Sequence, residues 1–418
     1  MDEVHVVTCF LRNHGEVLLL RRSDAVGSYA GQWGAVSGHA EGDPDAMARE
    51  EIAEETGLAD AVTLRRGGAP FDVVDAERGA RWIVHPFLFE VDDRTVEPND
   101  ETAEYEWVHP TAILRRETVP DLWASYDRVR PTVEAVREDR DHGSAWLSIR
   151  ALEILRDEAG VRTWGEGSGG WDAVAAIARD LRDARPSMPV VANRVNRVMA
   201  RADRSPAAVE HIAREGLEAA FAADGGAAEH AAELLPDRIA TLSRSGTVRT
   251  AIERADPEAV LVAQSRPGGE GVGVAEELAG ERDVTIAADA DLAWAIHEWE
   301  SGAVIVGADA IRPDGGVLNK AGTRSAALAA AHEGVPVLVA AAADKVDADG
   351  EREIESVDPG RIYDGTADLT VRSPLFDVTP PELVDAICTD RGVLEPEDIE
   401  AVAAEHRANA EWEDRLNS

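Results

Sequence analysis

Apolar and polar positions alternate in short runs over the first 135 residues, so Val4 to Leu11, Glu16 to Leu20 and Trp82 to Val91 read as strands, with the polar turn Asn13-His14-Gly15 between the first two. One helix interrupts them. Asp43 followed by Pro44 is an N-cap with proline at the first helical position, and Gly57 is a terminator, which predicts a helix over 44–56. The region is therefore an α+β domain. The charged stretch Arg137 to Gly143 has no apolar periodicity and reads as a helix end plus linker, with the boundary near 140. From Ala145 to about 235 apolar residues recur at helical spacing (Leu147, Ala151, Ile154, Leu155; Val174, Ile177, Leu181), apart from the loop expected at Gly165 to Gly170. Beyond Asp237 come short β-type runs, Ile239 to Leu242, Ala259 to Gln264, Val284 to Ala287, Ala303 to Val306 and Val335 to Ala340, separated by helix-length segments. Such alternation predicts a doubly wound, Rossmann-like α/β domain with a parallel sheet covered on both faces. The expected organisation is 1–138, a helical region over 145–235 and an α/β part over 236–418.

Charge adds a constraint on partners. There are 42 basic and 81 acidic side chains, a net charge of −39, too acidic for a nucleic-acid groove. Lys320 and Lys345 are the only lysines, and the acids are spread along the chain, as on the solvated surface of a halophile's protein. In molar salt a Debye length of ~3 Å suppresses the self-repulsion of such a surface. Cys9 and Cys388 form no metal-binding spacing and no disulfide framework, and the N-terminus has no basic region followed by an apolar core. The apolar run Val337 to Ala343 is too short for a membrane span. A soluble cytoplasmic protein is expected.

The segment Trp33 to Leu58 carries chemistry. On the helix Glu51, Glu54 and Glu55 stand at i, i+3 and i+4, stacking three carboxylates whose repulsion a cation would relieve. Hard oxygen ligands suit Mg²⁺ or Mn²⁺ bridging to substrate phosphates. In so acidic a chain three glutamates alone equally read as a solvated face. The whole string, with Gly38 behind a Trp-led strand, the acidic turn Glu41-Gly42-Asp43 and then EIAEETGL, resembles the Nudix box of the Nudix hydrolases. That resemblance implies a Nudix fold over residues 1 to about 135, metal-binding roles for Glu51, Glu54 and Glu55, and catalytic roles for Glu51 and Glu54 in water attack on a diphosphate linkage. Two departures stand out. The interval from Gly38 to the glutamates is two residues short, and Glu50 occupies the box arginine position, with Arg49 displaced by about 100° around the helix. Glu101 and Glu104 are candidates for a further acid from a late loop.

In a doubly wound sheet, ligands collect at the carboxyl ends of the strands. There the sequence places Ser243-Arg244-Ser245-Gly246-Thr247, Ser265-Arg266-Pro267, Gly307-Ala308-Asp309-Ala310, and Asn319-Lys320 expected to open a helix. Ser243, Arg244, Ser245, Arg266, Asn319 and Lys320 are thus candidate phosphate or ligand contacts, with Lys345 a further one after another strand end. These strings, together with Arg185-Pro186-Ser187 and Phe376 to Pro380, resemble the initiation-factor-2B-like superfamily. It joins the alpha, beta and delta subunits of that translation factor to ribose-1,5-bisphosphate isomerase and methylthioribose-1-phosphate isomerase. The resemblance places the isomerases' catalytic aspartate at Asp309 and their cysteine at Ser243, while Gln264 stands where they tend to have Glu. A thiol exchanges protons near neutrality and an unassisted hydroxyl does not.

The expected function is a Mg²⁺- or Mn²⁺-dependent Nudix hydrolase of a nucleoside diphosphate-linked substrate, whose C-terminal domain binds a phosphorylated sugar or nucleotide. The alternatives are a regulatory, ligand-sensing protein with a translation factor as partner, and a sugar-phosphate isomerase. The resemblance also implies a homodimer through the C-terminal domain.

Overall fold

The structure, a computed structural model, describes residues 2–40, 42–58, 62–76, 78–350 and 354–413; Glu41 of the acidic turn lies outside them. In chain order the elements begin with β1 (Asp2–Asn13), β2 (Glu16–Arg22), β3 (Trp33–Gly34), β4 (Val36–His39), α1 (Pro44–Thr56), β5 (Val62–Gly67), β6 (Phe71–Asp75), β7 (Ala80–Val91) and β8 (Thr102–Val108). Helices follow: α2 (Leu122–Asp127), α3 (Val133–Glu138), α4 (Ser144–Trp164), α5 (Gly170–Arg182), α6 (Pro189–Arg201) and α7 (Pro206–Ala232). Then come β9 (Arg238–Leu242), α8 (Gly246–Ala255), β10 (Ala259–Ala263), α9 (Glu270–Leu278), β11 (Asp283–Ala287), α10 (Leu292–Glu298), β12 (Ala303–Val306), β13 (Ala310–Ile311) and β14 (Val317–Lys320). The chain continues through α11 (Thr323–Glu333), β15 (Val337–Ala340), β16 (Phe376–Thr379), β17 (Ala386–Thr389), β18 (Gly392–Val393) and α12 (Pro396–Ala410).

Two compact units result. One comprises Met1–Thr132, Glu153–Val174 and Asp203–Leu217; the other comprises Val133–Leu152, Ala175–Ala202 and Glu218–Ser418.

In the first unit β1 and β2 form a hairpin whose two-residue loop, His14-Gly15, has φ of 48° and 77°, the positive pair that matches strand twist. The eight-stranded sheet runs β3-β2-β1-β7-β5, with β4 paired to β1, β6 to β7 and β8 to β2. Period-two alternation sends Val7, Cys9 and Leu11 to one face, against Ala48 and Ile52 of α1, and Phe10 to the other, with Ile113, Leu122 and Tyr126. Asp43 caps α1 by accepting from Asp45 N, and Gly57, with φ 74°, closes it. At the end of β1 the buried Arg12 pairs with Glu90 (2.6 Å) and Glu153 (3.0 Å), so its charge is compensated where water does not reach.

In the second unit the sheet order is β11-β10-β9-β12-β15-β17-β18, parallel except for β18. Its fully buried strands are apolar throughout, as a sheet covered on both faces requires. Val304 and Val306 pack with α10, α11 and α12, whereas Val260, Val262 and Ile305 pack with α7, α8 and α9. A separate antiparallel sheet, β13-β14-β16, stands outside this plan. Its strands change one expectation: Asn319 and Lys320 end β14, and α11 starts only at Thr323, because Lys320 pairs in register with Phe376 of β16.

Candidate functional site

In the first unit α1 presents its glutamates differently from a simple stack. Glu51 and Glu54 line a cleft of about 580 Å³ together with Arg22, Ser37, Gly38, His39 and Glu101. Glu55, expected beside them, turns inward and is buried, accepting a hydrogen bond from Ser37 N (3.3 Å). Burial pushes its carboxyl up to about 8; the Ser37 bond and Arg22 oppose this, and the charges of Glu51 and Glu101 add to it. Glu51 is also raised, by burial first and then by Glu54, Glu101 and Glu50. Gly38 makes the arrangement possible, since a Cβ there would overlap the Glu51 carboxylate.

The late-loop candidates separate. Glu101 lines the cleft, whereas Glu104 is half exposed and pairs with Arg21 at 3.5 Å. Arg49 lies over the Phe89 ring at 5.7 Å, and Glu50 is exposed. Arg22, which the sequence reading did not single out, holds Ser28 O (2.9 Å) and Ser37 Oγ (3.3 Å). Its signal was only a charged residue ending an apolar strand.

Among the described residues no three His, Cys, Asp or Glu side chains are close enough to hold a metal ion by themselves. Glu54 and Glu101 are nonetheless close enough to Glu51 to oppose its ionisation, as Glu51 and Glu101 oppose that of Glu55.

In the second unit the strand order reverses between β9 and β12, which makes their carboxyl ends the switch point where ligand crevices form. Ser243 and Ser245 follow β9, and Ala308 and Asp309 follow β12. The turns approach closely, for a Cβ at Gly307 would lie 2.8 Å from Ser245 Oγ. Ser245 caps α8 by accepting from Val248 N, while Arg244 is exposed. Ser243 has φ 63° and donates its N–H to Ser265 Oγ (2.6 Å); Ser265 N and Arg266 N in turn donate to the Asp289 carboxylate (2.7 and 2.6 Å). Ser265, from the Ser265-Arg266-Pro267 string, is therefore a support residue, and so is Asp289, which no local motif marked.

Lys320 is buried and ion-paired with Glu270, and Asn319 donates to Thr323 Oγ1 (3.0 Å). Lys345 is buried too and donates to Ala308 O (2.6 Å), the carbonyl preceding Asp309. Burial lowers its pKa, against the opposing charges of Asp309 and Asp224. The turn carrying it is held by Asn193, which donates to the Asp344 and Val346 carbonyls, and by Arg194 and Arg197, which pair with Asp344. The structure thus brings the turns that carry Ser243 and Ser245, and Asp309, to the ends of two adjacent parallel strands, while Lys320 is charge-neutralised by a neighbour.

Two family models match the chain, one after the other in sequence. A NUDIX domain model matches residues 1–132, and the Initiation factor 2 subunit family model matches residues 140–396. A ribose 1,5-bisphosphate isomerase of Haloferax volcanii is 29% identical over 300 residues, covering 65% of this chain and 92% of that protein. A methylthioribose-1-phosphate isomerase of Anaeromyxobacter sp. (strain Fw109-5) is 33% identical over 313 residues, covering 67% of this chain and 89% of that one. Among solved structures, the Pyrococcus horikoshii OT3 translation initiation factor eIF-2B has a TM-score of 0.55 at 27% identity, covering 64% of this chain and 97% of that chain. With a family match over residues 140–396, following a NUDIX domain in sequence, the chain belongs to the Initiation factor 2 subunit family.

Proposed function

We propose that the N-terminal domain hydrolyses a nucleoside diphosphate-linked substrate with Mg²⁺ or Mn²⁺, and that the C-terminal domain binds a phosphorylated sugar or nucleotide at its switch point. One observation carries the first half: Glu51, Glu54 and Glu101 share one cleft, and burial with the charges of Glu54 and Glu101 holds the Glu51 carboxyl above the usual carboxylate range. Mg²⁺ is usually held by one or two carboxylates and completed by water and substrate phosphates, a set that this cleft can supply from Glu51 and Glu54. Glu51 and Glu54 are the residues to hold it, with Glu101 adjacent. When bound, the ion supplies neutralisation of phosphate charge and acidification of water.

Chain residues supply the remainder. The water oxygen forms a new bond to phosphorus, the bridging P–O bond breaks, and its electron pair leaves with the departing phosphate. Arg22, fixed by Ser28 O and Ser37 Oγ, offers a cation to phosphate oxygens at the cleft. Release of nucleoside phosphates from a panel of sugar nucleotides and dinucleotides tests this reading, with Glu54→Gln protein as control. Turnover that survives in the control, or none in folded wild-type protein, contradicts it.

For the C-terminal domain the isomerase names of its relatives favour a second reading, sugar-phosphate isomerisation with Asp309 as the acid–base group. Ser243 argues for binding instead. Cys388 lies buried in β17 within the sheet, so it does not supply a thiol at the Ser243 turn. A regulatory role with a translation-factor partner remains the alternative use of the same crevice. We further propose a homodimer in the cytoplasm of a salt-adapted cell, which sedimentation in molar KCl tests. Among the described residues no helix is long and apolar enough to cross a membrane.

A further inference from the structure

Two histidines meet across neighbouring strands of the first unit. β1 and β7 run parallel with His5 opposite Ile83 and Val7 opposite His85, so His5 and His85 are diagonal neighbours on one face of the sheet. Val6, Thr8, Trp82 and Val84, which line the cleft, alternate to the other face. His5 Nδ1 and His85 Nε2 are 3.0 Å apart, and the two rings stack with centroids 5.3 Å apart and planes 29° from parallel. The His5 side chain is 47% exposed, so solvent reaches the pair.

A chain of charges orients the pair. Glu3 Oε1 stands 3.5 Å from His5 Nε2, and Glu3 Oε2 is 3.4 Å from Arg81, which itself pairs with Asp72 at 2.9 Å. A carboxylate beside Nε2 keeps the His5 proton on that nitrogen and leaves a lone pair on Nδ1, the nitrogen that faces His85. Burial, and then the charge of His5, lower the His85 pKa, so near neutrality that ring carries a single proton. With that proton on Nε2 the rings share a hydrogen bond; with it on Nδ1 both lone pairs converge on one point.

Two nitrogens 3.0 Å apart, each ~2.05 Å from a common ion, subtend an angle of roughly 95° at it. That is the cis angle of a tetragonal centre and is narrower than a tetrahedral one, which fits Cu²⁺ or Ni²⁺ better than Zn²⁺. We propose that His5 and His85 bind such an ion between β1 and β7, with water in the remaining positions and Glu3 as the outer carboxylate that fixes the His5 ring. With two protein ligands this site differs from a three-residue cage, which no described residues form. It takes an ion that seeks nitrogen, whereas the carboxylates Glu51 and Glu54 suit a hard ion that seeks oxygen. The site stands or falls separately from the diphosphate-hydrolase reading.

Full-length, tag-free protein is titrated calorimetrically with NiCl₂ in molar KCl at about pH 7.5, where imidazole is neutral, with excess Mg²⁺ present to occupy oxygen-ligand sites. Wild type shows a one-ion Ni²⁺ phase that weakens about 10²-fold in His5→Ala and in His85→Ala, as loss of one arm of a chelate requires. Glu3→Gln weakens it about 10-fold, the scale of a lost outer partner. His211→Ala, which removes an exposed histidine on α7, leaves it unchanged. Cu²⁺ in wild-type protein shows nitrogen couplings from two imidazoles in its electron paramagnetic resonance spectrum, reduced to one by either substitution. Ni²⁺ also raises the thermal midpoint of wild type and not that of His5→Ala, because the ion binds the folded chain. Should His85→Ala fail to fold, the half-exposed His5→Ala decides alone. No Ni²⁺ phase in wild type would make the pair a hydrogen bond only and overturn the site, and so would a phase whose affinity survives His5→Ala.

Discussion

Gly38 and Glu51 compete for one volume: the Glu51 carboxylate lies where a side chain at position 38 would begin. A glycine on an edge strand is therefore what lets the acidic helix present this group to the cleft. Gly38→Ala should displace the Glu51 carboxylate, and misplacement of about 1 Å costs roughly 10²-fold in rate. Steady-state hydrolysis checks this, with circular dichroism to show that the fold persists. Wild-type activity in Gly38→Ala would mean that Glu51 has no part in the reaction.

Glu101 and Glu104 are three residues apart and have different surroundings, one in the cleft and one paired with Arg21 on the surface. Glu101→Gln should lower kcat/KM by about 10-fold or more, as loss of a group assisting acid–base or metal chemistry does. Glu104→Gln should stay within about twofold, because an exposed ion pair contributes little. The comparison is made on the same substrate and metal.

How much of this was legible beforehand depended on whether the signal was local. Helix α1 was readable to the residue because Asp43, Pro44 and Gly57 are punctuation that acts within a few bonds. The parallel sheet was readable because its strands are short apolar runs. Lys320 was misread as a helix opener because a four-residue strand, β14, is specified by pairing with β16, more than fifty residues away. Arg22, Tyr29 and Trp82 were not singled out for a similar reason: they come from β2, the loop after it and β7, and only the folded sheet brings them to one cleft. Alternation along Trp82, Val84 and Pro86 was the one available clue to their shared face.

Lys320 and Glu270 form an ion pair, so the lysine's charge is already answered. Glu270→Gln should release it and tighten binding of ribose 5-phosphate several-fold, while Lys320→Ala should weaken binding by about 10-fold, the scale of a lost charge-assisted hydrogen bond. Isothermal titration decides. Unchanged affinity in both variants would remove Lys320 from the ligand site.

His109 gives stability a pH dependence of known sign. Burial, with Arg156, Arg214 and Arg115 nearby, lowers its pKa to about 3 in the folded chain, against ~6.5 when unfolded. Between those values the unfolded chain binds the extra proton, so this contribution is complete above ~6.5 and is lost progressively as pH falls toward 3. Urea midpoints at pH 7 and pH 4.5 should therefore fall further for wild type than for His109→Gln, by the equivalent of about 2 kcal/mol. Equal falls would show that His109 titrates normally.

The most direct test of the account is hydrolysis in ¹⁸O-enriched water with Mg²⁺ and molar KCl, followed by ³¹P NMR or mass spectrometry of the products of a nucleoside diphosphate-linked substrate. The account predicts one ¹⁸O in one phosphate product from wild-type protein, and loss of that product with Glu54→Gln. Unlabelled phosphate products, turnover that persists in Glu54→Gln, or no product from folded wild-type protein would contradict it.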